Sequence, residues 1–270
     1  MTFCFAHNII KTSYELLVIK SLPEVFMLPD RILSKLDEYL NRNDYVSAER
    51  HLVYWRDDAM ARGDLRTELL AQNELVGLYR KLGRRDDAFD AVTSALDIIE
   101  RLGAGDQVGS ATVILNCATA YKAFGEAEIS LTLFLLAREI YERELDPNDA
   151  RLAGLYNNMA LTLVDLKRIA DARELYEKAL KIANGTLDEA ITYLNLASAA
   201  EAERGLLDSE EEVNKYLDIA ENILENYPKR DGYYAFVCEK CASVFGYYGR
   251  FIYEKQLTER AERIYADEGN

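Results

Sequence analysis

Cys238-Glu239-Lys240-Cys241 is the stretch whose spacing alone suggests chemistry, because a CxxC pair can hold zinc or exchange a disulfide. Zinc needs a second pair of ligands, and thioredoxin-like redox chemistry needs a strand before the motif; the sequence around it offers neither. Both cysteines fall on apolar positions of a helical pattern, as Cys117 does upstream, and so they read as small core residues. His7 and His51 have no motif around them, which leaves no expected acid, base or metal site. The run Gly103-Ala104-Gly105-Asp106-Gln107-Val108-Gly109 has the glycine density of a phosphate loop, but it lacks the Lys and Ser/Thr and follows a helical pattern rather than a strand. It reads as a link. No nucleophile, base and orienting group converge, so neither an enzyme nor a bound cofactor is expected.

The amides are more suggestive. Asn116, Asn158 and Asn195 each stand immediately before a large core residue of a recurring helical pattern, and Asn73 and Asn157 stand one position earlier in theirs. An amide carries both donor and acceptor, so a row of them can pair with the backbone of an extended peptide without reading its sequence. The same amides could instead bond neighbouring helices or water, and the residue types alone leave both readings open. Arg80, Lys81 and Lys122 lie near the ends of the same helices and would suit an acidic peptide or a C-terminal carboxylate. Glu74, Glu201 and Glu239 share similar faces, so the sign of the surface stays open.

The elements that would hold these residues are helices in pairs. From Leu155 to Ala183, Tyr156, Met159, Ala160 and Leu163 mark one amphipathic helix, and Ala172, Tyr176, Ala179 and Ile182 mark the next. Five more pairs share this form. Taking 48, 88, 130, 172, 213 and 254 as the first core positions of the second helices gives a period of 40 to 42, with extra turn residues over Gly205 to Ser209 in the fifth pair. A period held this closely predicts an all-α solenoid of about six helical hairpins, because no single hairpin can bury its own apolar face. The units fall near 29–65, 66–107, 108–150, 151–187, 188–230 and 231–270, with no boundary expected inside 29–266. Residues 1–28 do not repeat; Thr12 to Leu22 reads either as a capping helix or as part of a segment outside the compact array.

Composition supports this. With 270 residues, 49% apolar content, four prolines and fourteen glycines, the chain suits long helices better than a turn-rich β fold. A formal charge of −15 opposes nucleic-acid backbones. No apolar run reaches the length of a membrane span, and four scattered cysteines fit a reducing, cytoplasmic setting.

The order aromatic-x2-large-small-x2-aromatic, turn glycine, small-x3-large-x2-Ala resembles the tetratricopeptide repeat, most clearly in Gln72 to Ala95, Ile114 to Ala137 and Tyr156 to Ala179. The long period is similar to that of kinesin light chains and bacterial peptide-sensing regulators, and the resemblance covers about nine-tenths of the chain. It departs at the ends, where Lys35 and Glu254 replace apolar or small residues. The resemblance implies a right-handed superhelix whose first helices line a concave groove, placing Asn116, Asn158 and Asn195 along it. It also implies a non-catalytic scaffold for a peptide or protein tail. The alternative is a peptide-responsive regulator without a DNA-binding domain; self-association is a further possible mode of partnering.

Overall fold

The computed structural model describes residues 23–268, with side chains from 28 to 267. The candidate helix Thr12 to Leu22 lies outside the described residues. Those described form an all-α chain of twelve helices paired into hairpins, and their contacts group into two compact units that divide between Glu144 and Leu145.

The first unit holds α1 (Pro23–Asn41) with α2 (Tyr45–Arg62), α3 (Leu65–Lys81) with α4 (Arg85–Arg101), and α5 (Val108–Ala123) with α6 (Ala127–Glu144). The second holds α7 (Ala150–Asp165) with α8 (Ile169–Ala183), α9 (Leu187–Arg204) with α10 (Leu206–Asn226), and α11 (Gly232–Tyr247) with α12 (Phe251–Glu268). Helix α1 begins six residues before Pro29, the expected start, and carries that proline inside it. The ring has no N–H to give, so one helical bond is missing there.

Aspartates start several helices: the side chains of Asp44, Asp64, Asp149 and Asp231 each accept a backbone N–H from the first turn that follows. Hairpin crossings are lined by small residues, with Ala48, Ala88, Ser130 and Ala172 fully buried at the fourth position of α2, α4, α6 and α8. In the fifth hairpin that position belongs to Ser209, not to Val213. The expected enlarged turn over Gly205 to Ser209 is absent. Gly205, at φ 82°, reverses the chain in a single residue between Arg204 and Leu206. Ser209 is tolerated in the crossing because its hydroxyl donates to the Gly205 carbonyl at 2.7 Å. In the sixth hairpin the position belongs to Glu254, whose carboxylate occupies the space a side chain at residue 246 would need; Gly246 has none.

First and second helices are joined differently. The first helices of neighbouring hairpins pack directly, α3 on α5 in one unit and α7 on α9 on α11 in the other. The second helices approach less closely and are bridged by long ionic side chains. Arg84 reaches from the start of α4 to both carboxylate oxygens of Glu49 on α2, at 2.8 Å each. Arg85 meets Glu126 just before α6. In the second unit Arg173 of α8 pairs with Glu212 of α10 at 3.0 Å. Arg250 joins α12 to Asp218 and Glu221 of α10 at 2.6 and 2.7 Å, and Arg260 holds Glu225 at 2.7 Å.

Candidate functional site

The asparagines divide into two kinds. Asn73 and Asn157 are buried in α3 and α7, whereas Asn116, Asn158 and Asn195 are half-buried in α5, α7 and α9. In the first unit the Asn116 amide donates to Asn73 Oδ1 at 2.9 Å, and Asn73 donates to Glu74 at 3.1 Å. The second unit repeats this bond: Asn195 donates to Asn157 Oδ1 at 3.2 Å, and Asn157 donates to Thr192 Oγ1 at 2.9 Å. In both units a later first helix is tied to an earlier one through an identical pair of side chains. These four amides therefore hold helices together. Asn116 and Asn195 keep an acceptor oxygen and a second N–H beyond that bond. Asn158, half-buried on α7, makes no side-chain hydrogen bond to any described residue.

The cations divide similarly. Lys81 lies over the Tyr45 ring at 5.0 Å, which directs it back to the preceding hairpin. Lys122 is half-buried in the last turn of α5. Arg80 follows Asn73 and Gly77 at helical spacing, so the three share one face of α3. Its guanidinium has no ion pair or hydrogen bond with a described residue, and burial pulls it down to about 10. Arg80 is half-buried, so this unpaired charge is partly withdrawn from water.

Other candidates are absorbed by packing. Cys238 and Cys241 lie in the core of α11 and Cys117 in that of α5, with burial pushing the thiols of Cys117 and Cys238 up to about 12. No group of three or more His, Cys, Asp or Glu suited to a metal ion occurs among the described residues. The glycine-rich link between α4 and α5 is anchored by buried Ala104, whose N–H bonds the Ile99 carbonyl at 3.2 Å. Among the described residues no helix is long and apolar enough to cross a membrane.

Paired helices with small residues at each crossing and directly packed first helices define a helical-repeat scaffold. The tetratricopeptide repeat family profile matches residues 67–143 and 110–185, the stretch that runs from α3 to α8. Comparison with curated proteins finds no match. Among solved structures, BtubC (BKLC) from P. vanneervenii is similar, at 21% identity over 84% of this chain and 92% of that one, with a TM-score of 0.61. The nearly identical TPR-like repeats of a kinesin light chain candidate from Podosopora anserina are similar at 16% identity, over 74% and 96%, with a TM-score of 0.51. At these identities the likeness is one of fold.

Proposed function

We propose that the first-helix faces of this scaffold bind an extended peptide or partner tail carrying an acidic side chain or a C-terminal carboxylate. The observation that carries the reading is Arg80, a half-buried guanidinium with no ion pair among the described residues, on the same face of α3 as Asn73, which bonds Asn116. A carboxylate arriving there would relieve the cost of the lone charge and form a strong charge-assisted bond. The spare groups of Asn116 supply backbone contacts beside it. In the second unit, Asn158 and Asn195 offer the same sequence-tolerant amide contacts. Arg80→Gln and Asn158→Ala, each titrated against a library of labelled peptides with acidic and neutral termini, test both. Loss of at least about ten-fold in affinity for acidic peptides on Arg80→Gln is expected, in line with roughly 1.5–3 kcal/mol for a hydrogen bond to a charged group. Equal affinity of wild type and Arg80→Gln for every peptide that binds would remove Arg80 from the site.

A further inference from the structure

Helices α10 and α12 begin in a way that folding does not require. The first turn of a helix favours acidic or capping residues, as Asp86 and Asp87 provide in α4 and Glu128 in α6. Helix α10 opens on Leu206-Leu207 before its acidic residue, Asp208, and α12 on Phe251-Ile252 before Glu254. These side chains are not absorbed by the core: Leu207 is 87% exposed, Ile252 79% and Phe251 68%. Leu207 and Ile252 hold the same register position, second in a second helix, so both leave their hairpins in the same sense. Arg250 fixes the distance between them. Its bonds to the Asn214 carbonyl, Asp218 and Glu221 set the start of α12 beside the middle of α10, about eleven residues past Leu207, or about 16 Å along the helix. A hollow at that point is lined by Glu221, Arg250, Phe251, Ile252, Tyr253 and Gln256.

The unpaired charge beside Leu206-Leu207 is acidic. Helix α10 carries seven carboxylates and one lysine. Glu212, Asp218, Glu221 and Glu225 are engaged by arginines, but Asp208, Glu210 and Glu211 are exposed and make no ion pair with any described residue. They flank Leu207 directly. A second copy of this chain would bring like charges together, and an anionic membrane would be repelled.

We propose that this edge of the second unit docks a basic amphipathic helix of another protein, with two apolar clusters about three turns apart and lysines or arginines around them. Apolar side chains of such a helix would cover Leu206-Leu207 and Phe251-Ile252, while its cations meet Asp208, Glu210 and Glu211. All residues of this edge belong to the second unit, whereas Arg80 belongs to the first.

The probe is a labelled 18-residue helical peptide with leucine pairs eleven residues apart and lysine and arginine elsewhere, titrated against the full chain by fluorescence anisotropy. Saturable binding is expected, weakened at least ten-fold by Leu207→Ser with Ile252→Ser and weakened by rising salt. Both side chains are exposed, and unchanged circular dichroism would confirm that the double variant folds. Arg80→Gln should leave this binding unchanged, which keeps the outcome apart from that of the peptide-groove reading. Absence of binding overturns the proposal, as does equal binding by the double variant or by a peptide with its cations replaced by glutamate. Sedimentation showing a dimer that the double variant abolishes would assign the edge to a second copy instead, and flotation with anionic vesicles would assign it to a membrane; either result also overturns it.

Discussion

Tyr176 sits fully buried in α8 with a hydroxyl that bonds no described atom. The equivalent position in α6 is Phe134 and in α4 Val92, where the core needs no polar partner. A stranded hydroxyl costs about 1–3 kcal/mol, so Tyr176→Phe should raise the midpoint of thermal unfolding, and a lower midpoint would mean that the hydroxyl has a partner. The asparagines show what a sequence discloses at this scale. Their register is visible because it follows the core residues of each helix. Their pairing is not, since Asn73 meets Asn116 and Asn157 meets Asn195 only once neighbouring hairpins take a particular offset. Arg80 was visible as a cation near a helix end; its lack of a counter-charge depends on what surrounds it in space.

The hairpin turn repeats one backbone requirement, a positive φ, met by Asn43, Gly83, Gly125, Lys167, Gly205 and Gly249. Lysine is the costly choice, because its Cβ crowds the following carbonyl in the left-handed region at φ 62°. Lys167→Gly should therefore stabilise the second unit by about 1 kcal/mol, read from a denaturant midpoint at unchanged slope. Five of these turns were legible from glycine or asparagine; Lys167 had no such signal. The period itself was legible too, through the alternation of small and large core residues. It failed in the fifth hairpin because Val213 is apolar and buried and so preserved an even spacing, while Ser209 looked polar. The true spacing runs from 172 to 209 and then to 254. A serine that satisfies its own hydroxyl within the helix defeats a rule based on polarity alone.

A formal charge of −15 would strain any compact chain, and the arginine bridges between second helices convert part of that surplus into attachment. Pairs of this exposure contribute only about 0.2–1 kcal/mol each. Their pH behaviour follows from Glu212, where burial acts to raise the carboxyl but bonds from Arg173 and Tyr216 bring it below its ordinary value. A depressed folded value means the stabilisation is complete above the unfolded value of about 4.3 and disappears as pH falls through the folded one. Glu212→Gln should thus be less stable than wild type at neutral pH, with the gap closing below about pH 4; a gap independent of pH would show that packing, not charge, is lost.

Where α3 meets α5, and where α7, α9 and α11 stack, first helices touch while second helices are bridged at arm's length. A stack bound that way is a book with a stiff spine and loosely tied pages. Compliance belongs to the outer edge, where a long side chain can lengthen its reach without parting a packed surface. Raising the salt concentration should loosen the ties and leave the spine alone, so that ionic strength sets how far the pages open.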